Sequence, residues 1–257
     1  MADADTDLRR RDRLKAQALR YATVPFNVRT GDLPKRLASA IVMLAVAGAA
    51  LAIGGRVLHL FLLAVALLAL GESVRLVLRA AHSAPLRVLG IAVAALYIGL
   101  GAVSLIQMPR AALVVAVVAV IATDTGAYFT GRTIGGPRIA PRISPSKTWA
   151  GLAGGMVAAG LWLAVVAAVL GSAIQALAPE EPIGVAPAHA AAGALLGAAL
   201  AIAAQAGDFL ESWLKRKAHV KDSSRLIPGH GGVLDRVDGI IPVALIFGLF
   251  GQVGGLW

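Results

Sequence analysis

Residues 190–217, AAAGALLGAALAIAAQAGDFLESWLKRK, run from an apolar stretch straight into a charged helix end, and they decide the fold. From Ala190 to Gly207 the only polar side chain is Gln205. A run of this length and composition predicts a transmembrane helix. Its Ala and Gly residues would let helix backbones pack closely in lipid. Comparable runs recur along the chain, at about 37–54, 57–80, 86–107, 111–131, 149–170 and 239–256. The chain is 58% hydrophobic and 15% charged, whereas a soluble domain carries roughly 25% charged residues. The expected fold is therefore all-α, a polytopic transmembrane helical bundle of about seven spans.

The basic residues give that bundle an orientation. Nine Lys and Arg precede the first span, and the six segments between successive spans hold one, three, one, four, none and six, with none after the last. Alternate segments thus hold 22 against 2. The positive-inside rule then predicts a cytoplasmic N-terminus. Residues 1–36 read as a basic cytoplasmic tail and 37–257 as the membrane domain. With no cysteine, disulfides and thiolate metal sites are excluded. No internal repeat is evident.

Chemistry is concentrated where the sixth span ends. Ser212 to Asp238, SWLKRKAHVKDSSRLIPGHGGVLDRVD, holds six Lys and Arg, three Asp and two His. Charges beside a membrane are costly and are kept for use. Asp208, Glu211, Ser212 and Lys215 are spaced i, i+3, i+4, i+7 and share one helix face. Asp235 and Asp238 are three apart at the entry to the next span. Carboxylates converging there would repel unless a cation such as Mg2+ or neighbouring bases neutralised them. Pro228-Gly229-His230-Gly231-Gly232 reads as a tight turn whose backbone a phosphate could approach closely.

A second polar cluster spans residues 123–151, TDTGAYFTGRTIGGPRIAPRISPSKTWAG. Asp124 and Tyr128 lie i, i+4 at the inner end of the fourth span. Ser144-Pro145-Ser146-Lys147-Thr148 reads as the cap of the fifth span, where hydroxyls, a Lys and a helix N-terminus could meet an anion.

These residues carry a resemblance. The pattern Ser212-x-Leu214-Lys215-Arg216-x4-Lys221-Asp222-x-Ser224-x2-Ile227-Pro228-x-His230-Gly231-Gly232-Val233-x-Asp235-Arg236-Val237-Asp238 resembles that of the phosphatidate cytidylyltransferases, or CDP-diacylglycerol synthases. Asp124-Thr125-Gly126-Ala127-Tyr128, Gly131-Arg132, Ile143-Ser144-Pro145-x-Lys147-Thr148-Trp149 and Gly207-Asp208 resemble the family too. The likeness is specific over about 123–151 and 205–240. Ser146, Ala150 and Gly239 depart from it, standing where the family commonly has Lys, Glu and Ser.

The resemblance implies transfer of CMP from CTP to phosphatidate with Mg2+, giving CDP-diacylglycerol and pyrophosphate for phospholipid biosynthesis. It implies metal coordination by Asp208, Asp235 and Asp238, a second cation being allowed near Asp124. It assigns phosphates to Lys215, Arg216, Lys221 and Arg236, and the turn around them to His230, Gly231 and Gly232. Ser144, Lys147 and Thr148 would contact nucleotide or headgroup, and Asp222 joins the catalytic set. The expected setting is a bacterial-type inner membrane with the site facing the cytoplasm. The partners are membrane lipid and the two substrates, with no nucleic acid; small-residue helix faces permit a homodimer. The rival readings are the same chemistry on another lipid phosphate and an ion-coupled transporter. The transporter would put its polar groups near the midplane and use repeats.

Overall fold

The computed structural model describes residues 33–177 and 186–253. The chain forms a helical bundle of α1 (Leu33–Ile53), α2 (Gly55–Ala80), α3 (Ala84–Gln107), α4 (Arg110–Thr133), α5 (Trp149–Leu177), α6 (Ala186–Lys217), α7 (Leu234–Val237) and α8 (Ile240–Val253). Between α4 and α5 lies a hairpin of β1 (Arg138–Ala140) and β2 (Ser144–Thr148), antiparallel, with Arg138 opposite Thr148.

Among the described residues six helices are long and apolar enough to cross a membrane. The seventh apolar segment is helical where expected, but α8 has 14 residues. The outer faces carry Leu44, Val88, Leu161 and Leu195, all largely exposed. A surface so apolar suits lipid rather than water. The chain is an integral membrane protein of the polytopic helical class.

Three boundaries differ from expectation. Residues 33–36, read as tail, already form the first turn of α1, and the rest of the tail lies outside the described residues. The loop expected at 171–189 is mostly helix, because α5 runs on to Leu177 and α6 begins at Ala186. The Ala-rich flanks favour helix there. The Ser144–Thr148 stretch is a strand rather than a helical cap, except that Thr148 Oγ1 accepts from the Gly151 amide at 3.1 Å. That contact caps α5 as a Thr N-cap does.

Length places the site on α6. With 32 residues it rises about 48 Å, more than the hydrocarbon core needs. Its charged side chains, with Asp208, Glu211 and Lys215 among them, all fall in its last three turns. Lys215, Arg216 and Lys217 in the last turn complement the helix dipole. The helix then stops in a Schellman turn. Val220 N–H donates to Lys215 O, His219 N–H to Arg216 O, and His219 sits at φ 56°.

Two close approaches set the frame around it. A Cβ on Gly126 would lie 2.6 Å from the Gly154 carbonyl, so α4 and α5 touch through backbone. Gly207 of α6 lies against the Asp238 carbonyl and the Pro242 ring, which a Cβ would meet at 2.8 Å. This second contact brings Asp208 beside Asp238. Beneath it Leu76, Ile98, Leu234 and Ile241 form a buried cluster. Gly207→Val should force α6 off the start of α8 and destabilise the protein by about 1–3 kcal/mol. Thermal unfolding in detergent measures this, and an unchanged Tm would contradict the packing.

Candidate active site

The segment after α6 is organised by a buried carboxylate from α2. Glu72 is 5% exposed and sits in the C-terminal half of its helix. Its Oε1 accepts from Ser224 Oγ (2.6 Å) and Val233 N–H (3.1 Å). Its Oε2 accepts from Ser223 Oγ (2.9 Å) and Leu234 N–H (2.7 Å). Four donors satisfy a charge that burial alone would not tolerate. They also pin both ends of the loop between α6 and α7 to one point.

Asp235 is the second anchor. Its Oδ1 accepts from Lys215 Nζ at 2.7 Å. Its Oδ2 accepts from Ser223 N–H (2.9 Å) and Gly232 N–H (2.8 Å), and it shares the one Ser223 hydroxyl proton (Oγ at 2.8 Å) with Glu72. Burial alone would raise this carboxyl. Hydrogen bonding with Glu211, Lys215, Gly232 and Ser223 instead holds it well below the usual carboxylate range. Lys215 also reaches Glu211 Oε2 at 2.5 Å, so one ammonium bridges two carboxylates on different helices.

A third pairing crosses from the hairpin. Lys147 Nζ of β2 meets Asp208 Oδ2 at 2.5 Å, and Ser212 Oγ donates to Asp208 Oδ1 at 3.2 Å. Arg216 Nε donates to the Ile143 carbonyl at 3.2 Å, tying the end of α6 to the same hairpin. Asp238 follows α7 and accepts from the Gly239 amide at 2.9 Å. Burial, then the Asp208 charge beside it, pushes the Asp238 carboxyl up to about 6.

These groups line one cavity of about 680 Å3. Asp124, Lys147, Thr148, Asp208, Lys215, Arg216, Lys221, Asp222, Asp235, Arg236 and Asp238, all named from the sequence, are in its wall. With Arg132 and Glu211 the wall holds six bases and six acids. Bases of this kind can pair with phosphate oxygens. Gln205 Nε2 and Glu211 Oε1 are buried in the same wall without a hydrogen-bond partner among the described residues. Polar atoms left so mark where a ligand would bond.

Four expected residues stand elsewhere. Ser144 is buried at the start of β2. His230 faces α1, its Nδ1 2.8 Å from Ser39 Oγ, and Arg236 NH2 donates to its carbonyl at 2.8 Å. The turn's amides are also turned inward: Gly231 N–H donates to Ile227 O and Gly232 N–H to Asp235. Gly231 (φ +86°) needs its glycine because a Cβ there would lie 2.8 Å from Asp235 Oδ2. The turn thus wraps a carboxylate of the chain, and the cavity lies on the other side of that carboxylate.

Glu72, Ser39, Ser223 and Gln205 are the site residues that sequence patterning does not nominate. Glu72 carries one signal, an acid at the end of an apolar span. Its partners are 151 to 162 residues away.

A helical membrane protein with a cavity of mixed acids and bases at one end of its bundle is the class that fold and site define. A model of the cytidylyltransferase family matches residues 106–253. The chain belongs to that family. It is 48% identical over 135 residues to a phosphatidate cytidylyltransferase of Brucella suis biovar 1, covering 51% of this chain and 43% of that protein. A protein of the same name from Mycobacterium leprae is 39% identical over 129 residues, 50% of this chain and 36% of that one. One from Rickettsia prowazekii is 41% identical over 124 residues, 48% of this chain and 51% of that one. The match therefore spans about half or less of each relative's length.

Glu72→Gln replaces one acceptor oxygen by a donor facing N–H groups and hydroxyls. Hydrogen bonds to a charged group are worth about 1.5–3 kcal/mol, so the loop at 220–234 should loosen by that order. Faster amide exchange at Val233 and Leu234 is the expected readout. Unchanged protection there would remove Glu72 from this role.

Proposed function

We propose that the chain transfers CMP from CTP to phosphatidate, giving CDP-diacylglycerol and pyrophosphate, at the cytoplasmic face of a bacterial-type inner membrane. The observation that carries this reading is a junction of two cavities. The polar cavity of about 680 Å3 and an apolar one of about 370 Å3 share Asp124 and Arg236 in their walls. Phe61, Leu62, Val65 and Ile98 line the apolar cavity. A water-soluble polyanion and a lipid whose tails stay in the bilayer need such a meeting point. The names of the relatives support phosphatidate as the lipid.

In the reaction a phosphatidate oxygen bonds to the α-phosphorus of CTP. The bond from that phosphorus to the bridging oxygen breaks, and pyrophosphate leaves with the electron pair. The nucleophile is already an anion, so no proton has to be removed. The protein's part is to hold two like-charged groups in line and to neutralise charge as it moves. Lys215, Arg216, Lys221 and Arg236 would hold phosphates, and Lys147 and Thr148 the nucleotide or headgroup. Lys215 is itself fixed by Glu211 and Asp235, so its ammonium is positioned before substrate arrives.

A divalent cation would be held by Asp238 and by Asp208, the latter exchanging Lys147 for the ion, since burial and the Asp208 charge already press on the Asp238 charge. The unpartnered Glu211 Oε1 is a further oxygen near them. Asp235 would join only by releasing Lys215. Mg2+ bound there would supply Lewis-acid neutralisation of phosphate charge.

The test is an assay of detergent-solubilised protein with labelled CTP, phosphatidate and Mg2+. Label should enter a lipid product only when both substrates are present, and its absence would overturn the proposal. A different lipid phosphate accepting label better would move the reading to that acceptor. Asp238→Asn should lower kcat by about 10²-fold or more, the scale of losing one pre-set electrostatic group. Mg2+ should also raise the Tm of the wild type and leave that of Asp238→Asn unmoved, because only a bound ion stabilises.

A further inference from the structure

A larger cavity, about 870 Å3, lies on the far side of the loop from the transfer cavity. Its walls are the C-terminal half of α2 and residues 220–226. Arg75 and Arg79, one helical turn apart on α2, face Lys221 and Arg225 from the loop. All four are exposed, and among the described residues none has an ion-pair partner. The acids in this wall are Asp222 and Glu72, and Glu72 already serves four donors of its own. Four cations around one cavity repel one another unless an anion sits among them. Arginine pairs are suited to phosphate, which they can grip through two parallel N–H bonds.

The same cavity has an apolar end. Leu67 and Leu68 line it two to three turns back along α2, and they are 59% and 46% exposed. They lie within an apolar helix long enough to cross a membrane, whereas Arg75 and Arg79 follow near its end. An occupant must therefore carry negative charge at one end and hydrocarbon at the other. We propose that this cavity binds the headgroup of an anionic phospholipid, with phosphate on Arg75, Arg79 and Arg225 and acyl chains along Leu67 and Leu68. The site is separate from the one where transfer is proposed. Lys221 and Asp222 belong to both walls. Ser223 bonds Glu72 on one side and Asp235 on the other. Occupancy of the outer cavity thus bears on the loop that forms the inner one. This is a second lipid site, whose lipid is bound and not consumed.

The experiment measures binding, so it is independent of whether transfer occurs. The full chain in detergent is titrated with labelled short-chain phosphatidylglycerol, a phosphodiester without the terminal phosphate a transfer acceptor needs. Saturable binding is expected, with phosphatidylcholine failing to compete. The double variant Arg75→Gln/Arg79→Gln should weaken Kd about tenfold or more, as loss of two charge-assisted contacts implies. Lys147→Gln, in the transfer cavity, should leave Kd unchanged. Arg225→Gln on the opposite wall should weaken binding in the same sense, which keeps the test decisive if the double variant misfolds. Equal binding by wild type and both cavity variants would overturn the proposal. Competition by inorganic phosphate at the same concentration as the lipid would overturn its lipid part and leave a free-phosphate site.

Discussion

The constraint on which the rest depends is that carboxylates sunk beside a membrane must be given donors. Glu72, Glu211 and Asp235 are nearly removed from water, and each unpaired charge there would cost several kcal/mol. Glu72 is answered by two serine hydroxyls and two backbone amides, Asp235 by Lys215, Ser223 and Gly232. Satisfying them dictates where the loop runs, how α7 begins and which way Lys215 points. The site is the by-product of that satisfaction: what the acids do not consume remains facing the cavity.

This explains the apparent mixture of signs. A cavity meant only for polyphosphate would carry bases alone. Here the bases are held by acids of the same chain, which fixes their position. Lys215 between Glu211 and Asp235 and Lys147 on Asp208 are both of this kind. A positioned ammonium loses less freedom when substrate arrives, which is how pre-organisation favours a transition state. Asp238 stands outside these pairs, half-buried and beside another carboxylate.

Much of the architecture is legible in composition and spacing. The helical class follows from long apolar runs, and the sharing of one helix face by Asp208, Glu211 and Lys215 follows from helical periodicity. The hairpin at 138–148 is not legible. Its strands are three and five residues long and are held by pairing rather than propensity. The Gly-His-Gly-Gly turn is misleading for a related reason. Glycines permit a close approach, but the sequence does not say by what. In the folded chain Asp235 approaches Gly231, and Ser223 with Glu72 approaches Gly232.

By itself the sequence determined that this is a helical membrane protein with its acids and bases gathered after its sixth apolar run. Hydrophobic length and residue spacing are local properties, and they need no partner to be read. Only the tertiary structure decided which acids are free. Glu72 reaches its donors across more than 150 residues, Ser39 reaches His230 across 191, and Gly207 lets Asp208 stand beside Asp238. A hydrogen bond forms between neighbours in space, and neighbourhood across such separations is set by helix packing that no local pattern encodes.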